Sequence, residues 1–220
     1  MPTPQQERVN IFNGLRRLEL DGLGLPNHYH FSVQSLPFLP GDAVFMVNPY
    51  NGHEHTEGRT RIASLPPGEQ AKIIVPLLLY SFNNRFDDDG LIHQMHQDMM
   101  PWAPWSWSTA DPVLASAVSA RLRAIGVRKK LCEVSVSGPD DVETAEKKWA
   151  AMKKQLAAHI PFMPDDFVGD VDKSCNTCGF TPSLNVSFQR CARCKQAYYC
   201  SRGCQKEDWK SHKKSCTPAP

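Results

Sequence analysis

The residues with the clearest chemistry crowd the end of the chain. Seven of the eight cysteines lie in the last forty-six residues, and only Cys132 lies upstream. The array runs Cys175-x2-Cys178, Cys191-x2-Cys194, Cys200-x3-Cys204 and His212-x3-Cys216. These eight donors fall in four pairs, enough for two closed tetrahedral Zn²⁺ sites with no position left for water. In Cys-x2-Cys a tight turn brings two sulfurs to one metal, each at about 2.3 Å. Residues four apart share one face of a helix, with Cβ atoms about 5–6 Å apart. The first two pairs therefore read as knuckles and the last two as helical. So short a segment, with so few aliphatic residues, buries too little surface to fold alone, and metal binding supplies the missing free energy. A histidine ligand and two complete sets of four favour zinc over an iron–sulfur centre. The full ligand count argues against a catalytic zinc, and the paired spacing against a set of free or disulfide-bonded cysteines. Spacing alone leaves open whether the pairs are used sequentially or interleaved.

The run Tyr198–Cys216, YYCSRGCQKEDWKSHKKSC, with its two upstream Cys-x2-Cys pairs, closely resembles the MYND-type zinc finger. A RING finger would need a Cys-x-His step in mid-array, and here the one finger histidine is the seventh ligand. The resemblance implies interleaved, cross-brace sites: Cys175, Cys178, Cys200 and Cys204 on one zinc, and Cys191, Cys194, His212 and Cys216 on the other. It also implies a protein-interaction module that takes short proline-containing peptides, often of PxLxP type, in a shallow groove. The groove positions of that family, a Gln directly after the sixth ligand and a Trp four residues on, are matched by Gln205 and Trp209. An amide and a flat aromatic face one helical turn apart make a good surface for proline. The competing reading makes Trp209 the small core of the finger. Some members carry a polar contact residue where this sequence has Ala192, a departure that bears on peptide preference.

Something must position this array, and the rest of the chain is long enough to do it. Of 220 residues, 41% are hydrophobic and 22% charged, sufficient to bury a core. Charge divides where the cysteines begin. Residues 1–171 carry sixteen basic against twenty acidic residues, and residues 172–220 carry nine against three. Deprotonating seven cysteines and adding two Zn²⁺ takes the tail from +6 to about +3. The sequence pI of about 8.1 counts those cysteines as free thiols and is no argument for nucleic-acid binding. The division is read as residues 1–165, an α+β domain; 166–174, a linker overlapping the linker-like Pro161–Asp172 run; 175–216, the finger; and 217–220, a tail.

Within residues 1–165, Leu15–Leu20 and Asp42–Asn48 are strand candidates, and Asn51–Arg59 reads as a polar loop. The apolar run from Pro66 reads as a helix with Pro67 in its first turn and a kink at Pro76. Leu91–Met100 reads as a short helix. Thr109 or Asp111 can cap a helix ending near Ile125, with Gly126 beyond it. Cys132, Val134 and Val136 alternate as a half-buried strand would, which makes Cys132 a core residue and not a ligand. Asp140–His159 reads as a helix with its acids early and its lysines late. The tryptophans of Pro101–Ser108 read as a buried wedge, with an exposed docking patch as the alternative.

Weaker constellations include His28-x-His30, His53-x-His55, His93-x2-His96, Asp87–Asp89 and Asp98. Loop histidines and a solvated acidic turn account for them better than a second metal site, which would need three converging ligands. The acidic run fails as an EF-hand because Arg85 and His96 stand where ligands belong. No nucleophile elbow and no glycine-rich phosphate loop occurs. No apolar stretch is long enough to span a membrane, and the first residues do not read as a secretory signal. The expectation is an intracellular, nuclear or cytoplasmic, non-enzymatic adaptor with two structural zinc ions, in a transcriptional or chromatin setting borrowed from the resemblance. Nucleic-acid binding through Lys206, Lys210, Lys213 and Lys214 is the alternative. A methyltransferase-related enzyme is less favoured, because only four residues follow Cys216 in this sequence.

Overall fold

The computed structural model describes residues 2–36, 41–84, 102–159, 174–179 and 188–218. The Leu91–Met100 helix, the Asp87–Asp89 run, Asp98, His93, His96 and nearly all of the 166–174 linker lie outside these residues. The N-terminal part opens with helix α1 (Pro4–Gly14), capped by Thr3, whose hydroxyl accepts from the Gln6 N–H. Next come β1 (Arg16–Arg17), β2 (His28–Ser35), β3 (Asp42–Val47), β4 (Glu54–Thr60) and helix α2 (Pro67–Asn83). There follow β5 (Trp102–Ala103), β6 (Ser106–Thr109), helix α3 (Pro112–Ala124), a 3-10 turn (Lys129–Leu131), β7 (Val134–Val136) and helix α4 (Pro139–His159).

A five-stranded sheet of order β4-β3-β2-β6-β7 organises this part. Strands β2, β3 and β4 run antiparallel, while β6 and β7 join parallel to β2. Alternation along the strands builds two cores. One face sends Phe31, Val44, Met46 and Trp107 into Phe12 of α1, Ile74, Leu78 and Phe82 of α2, and Val118 and Leu122 of α3. Phe12 stacks on Trp107 with ring centroids 5.9 Å apart. The other face sends Ala43, Phe45 and Val47 against Ala145 and Trp149 of α4. The outcome is a mixed helix–sheet domain with helices on both faces.

Several elements differ from the sequence reading. Of Leu15–Leu20, only Arg16–Arg17 forms a strand, paired with β5, and Leu20 makes an isolated bridge to Pro26. The supposed loop Asn51–Arg59 runs from its fourth residue into an edge strand, β4, with Glu57, Gly58 and Arg59 buried although none is apolar. Its register against β3 shifts between Asp42 and Val44, and Gly58 sits at that irregularity with φ +80°. Leu77 packs so close that a Cβ at Gly58 would lie 2.7 Å from its Cδ1. The strand is buried because α2 lies on it, which side-chain polarity along the strand does not reveal. Asp111, not Thr109, caps α3, its carboxylate accepting from the Val113 and Leu114 N–H groups. Cys132 is buried as expected but follows the 3-10 turn and precedes β7; its thiol donates to the Val127 and Arg128 carbonyls at 3.2 and 3.3 Å. The tryptophan run divides: Trp107 is core, while Trp105 is 41% exposed under the Arg17 guanidinium, 4.8 Å from its ring.

Candidate metal centre

The tail contributes a two-stranded ribbon, β8 (Gln189–Arg190) with β9 (Tyr198–Tyr199), and helix α5 (Arg202–His212). Each Cys-x2-Cys pair forms a turn closed by one backbone bond: Gly179 N–H to the Cys175 carbonyl at 2.8 Å, and Lys195 N–H to the Cys191 carbonyl at 2.9 Å. Both closing residues take the left-handed conformation, Gly179 at φ +69° and Lys195 at +56°. Glycine adopts it freely and lysine does so at a cost, which the turn's sulfurs must outweigh once they share a metal. Ser201 caps α5 by accepting from the Cys204 N–H at 3.2 Å, fixing the turn between Cys200 and Cys204. Thr177 ties the first turn to the same helix through its hydroxyl and the Cys204 carbonyl, 2.7 Å.

Two groups of donors result. Cys175, Cys178, Cys200 and Cys204 have their sulfurs within 4.8 Å of one another, and so do the donor atoms of Cys191, Cys194, His212 and Cys216. The pairing is interleaved: first pair with third, second with fourth. Sulfur separations are 3.5 Å for Cys178–Cys200, 3.5 Å for Cys200–Cys204 and 3.8 Å for Cys191–Cys216. Cys194 Sγ lies 3.4 Å from His212 Nε2. A tetrahedron with Zn–S of about 2.3 Å has a sulfur–sulfur edge of roughly 3.8 Å, and one with Zn–N near 2.05 Å a sulfur–nitrogen edge of roughly 3.6 Å. The observed edges fit a zinc at each centre, and all these cysteines are free of disulfides. Helix α5 carries Cys204 in its first turn and His212 in its last, so both metals bolt one helix to the two knuckles. Each zinc would act structurally: four protein donors leave no open position for substrate.

Between the bolts the finger has its own small core, and Tyr199 fills it. Tyr199 is fully buried, and its hydroxyl donates to Asp208 Oδ2 at 2.7 Å. Burial and the Asp208 carboxylate push the phenol well above its ordinary pKa. Trp209 is 40% exposed and leans on the His212 ring, centroids 5.9 Å apart. Gln205 is half-buried one turn earlier on α5. The sequence reading missed Tyr199 as the core residue; its alternation with Ala197 beside a two-residue strand is too brief to read.

Elsewhere, His28 and His30 sit among hydroxyls. His28 bonds Ser106 and Ser108 at 2.9 Å each, His30 bonds Ser137 at 2.7 Å, and Ser137 donates to Ser108 at 2.8 Å. Burial lowers the pKa of both rings, His30 to about 4, with Asp141 partly offsetting the effect. His53 bonds the Tyr29 hydroxyl and His55 the Glu57 carboxylate, each at 3.3 Å. Among the described residues none of these joins a metal-capable group; the two Cys/His groups do. No helix of the described residues is long and apolar enough to cross a membrane.

Comparison with known proteins agrees with this geometry. Residues 175–216 match the family model described as the MYND finger. Over 52 residues the chain is 44% identical to "N-lysine methyltransferase SMYD2" of Sus scrofa, covering 24% of this chain and 12% of that protein. It is 49% identical over 45 residues to "Tudor domain-containing protein 1" of Mus musculus, 20% of this chain and 3% of that one. It is 47% identical over 47 residues to "SET domain and MYND-type zinc finger protein 6" of Schizosaccharomyces pombe, 21% of this chain and 9% of that one. The aligned part thus spans about an eighth or less of each relative, and it is the finger.

Proposed function

We propose that this MYND-type finger grips a proline-containing segment of a partner protein, and that the chain acts as a non-enzymatic adaptor. The finger's zinc-binding, interaction-module character follows from its family. The proline preference, the adaptor role of residues 1–165, a nuclear or cytoplasmic setting and a part in transcription or chromatin regulation belong to the proposal. One observation carries it: Tyr199 occupies the finger's core and Trp209 is left 40% exposed beside Gln205. An indole face that the fold does not consume is a platform for a pyrrolidine ring, and a neighbouring amide can bond the peptide backbone. The methyltransferase in the name of the Sus scrofa relative concerns a protein matched over the finger alone, and a finger with closed zinc sites supplies no transfer chemistry.

Calorimetric titration of the full chain with a PxLxP-type peptide tests this reading. A shallow groove buries little surface, so a Kd near 1 μM, about −8 kcal/mol, is expected. Trp209→Ala should cost at least about 2 kcal/mol, roughly thirtyfold, and Gln205→Ala less. Zinc content measured on the same sample separates a lost platform from a lost fold. A zinc-loaded Trp209→Ala protein that binds as tightly as wild type would place the groove elsewhere. Binding of DNA with a steep salt slope, and no peptide binding, would favour the nucleic-acid alternative.

A further inference from the structure

The two metal centres differ in charge. Four thiolates on Zn²⁺ leave the Cys175/Cys178/Cys200/Cys204 centre at −2, while three thiolates and a neutral imidazole leave the other at −1. Holding a dianion in a half-buried position is costly unless a cation or N–H donors face it. The cation comes from outside the finger. Arg8, on α1, is half-buried and donates from its side chain to Cys178, with Cys200 and Cys204 also close enough to act on its charge. Two further observations fix the arrangement. The Asn83 side-chain amide on α2 donates to the Arg8 carbonyl at 3.0 Å, anchoring this turn of α1 to the N-terminal core. The buried cysteines of both centres are also continuous with the hydrophobic cluster that contains Val9 and Phe12 of α1.

We infer that Arg8 is an outer-shell partner of the four-cysteine zinc centre, compensating its excess negative charge and latching the finger to helix α1. The role is asymmetric: it serves the −2 centre, whereas the rings packed on His212 of the other centre are the finger's own Tyr199 and Trp209. Zinc retention at one centre is therefore linked to the N-terminal domain, a coupling that a finger excised from its chain would lack. The inference is independent of what the peptide groove binds.

The test uses the full chain with Arg8→Gln, which keeps a donor but not the charge, and Arg8→Lys, which keeps the charge without the planar fork. Zinc release to a chromogenic chelator is followed in time, and native mass spectrometry counts the ions retained. Loss of an outer-shell partner commonly costs 10–100-fold in metal affinity. One of the two zinc ions should leave Arg8→Gln about 10–100-fold faster and the second at the wild-type rate, with Arg8→Lys between. In the ¹¹³Cd-substituted protein, the resonance of the all-sulfur centre should shift in Arg8→Gln and that of the centre with His212 should not. This spectral readout holds even if a variant is less stable overall. Unchanged release of both ions, equal acceleration of both, or a ¹¹³Cd shift at the His212 centre instead would overturn the inference.

Discussion

Acid should destabilise the N-terminal domain through His30, and the size of the effect follows from where the ring sits. His30 is 2% exposed, with Nδ1 bonded to the Ser137 hydroxyl at 2.7 Å. Burial, the largest influence, and the neighbouring His28 lower its pKa from 6.5 to about 4, against the opposing pull of Asp141 at the start of α4. Below pH 6.5 the unfolded chain takes up a proton that the folded chain refuses, so stability falls as pH drops from about 6.5 towards 4. Below the folded pKa both states are protonated and this group's contribution levels off. The full interval is about 3 kcal/mol at 1.36 kcal/mol per unit, and the part reached between pH 7.5 and pH 5 is about 2 kcal/mol. The assay is urea unfolding at both pH values, read from the buried tryptophans Trp107 and Trp149, for wild type and His30→Asn. An amide replaces the ring's bond to Ser137 and does not titrate. Acid also weakens zinc binding, equally in both proteins, so the difference between the two pH slopes isolates the histidine. The variant should lose about 2 kcal/mol less than wild type on acidification. Identical slopes would refute the argument that burial keeps His30 neutral.

Two further substitutions probe the same domain. Gly58→Ala should cost about 3 kcal/mol in urea denaturation, because a side chain at φ +80° is strained and its Cβ would lie 2.7 Å from Leu77 Cδ1; a change under about 0.5 kcal/mol would mean that β4 does not pack on α2 as described. Cys132→Ser should keep both zinc ions by mass spectrometry and cost about 1 kcal/mol, since the Val127 and Arg128 carbonyls that accept from the thiol can accept from a hydroxyl; loss of an ion would make Cys132 a ligand.

How much of this was legible beforehand depends on how local the cause is. The zinc donors announce themselves by type and spacing, because each pair is assembled by one turn or one helical step. Their interleaving is not local; it came from resemblance and is seen in which sulfurs approach. Helices with caps and periodic apolar faces were readable: Asp111 before α3 and the charge order along α4 are examples. Strand β4 was not, since Glu57 and Arg59 are buried beneath α2, a separate element that begins at Pro67 after the strand has ended at Thr60. Trp105 and Trp107 would share a face of one continuous strand; they part because β6 begins only at Ser106, leaving Trp105 outside the strand under Arg17. Arg8 carries no motif at all, because its importance comes from sulfurs about 170 residues away that α1 meets only in the folded chain.

The central claim is a two-zinc finger with interleaved ligands, and ligand composition alone does not test it. Sequential pairing would also give one all-sulfur centre and one with His212. A ¹¹³Cd–¹H correlation spectrum of the cadmium-substituted full chain separates the two, because each metal shows scalar coupling to the Hβ protons of the cysteines that bind it. The account predicts two ¹¹³Cd resonances, with Cys200 and Cys204 correlated to the same metal as Cys175 and Cys178, and Cys191 and Cys194 to the metal that also couples to His212. Correlation of Cys191 and Cys194 with the metal of Cys175 and Cys178, or a single ¹¹³Cd resonance with one ion per chain, would contradict it.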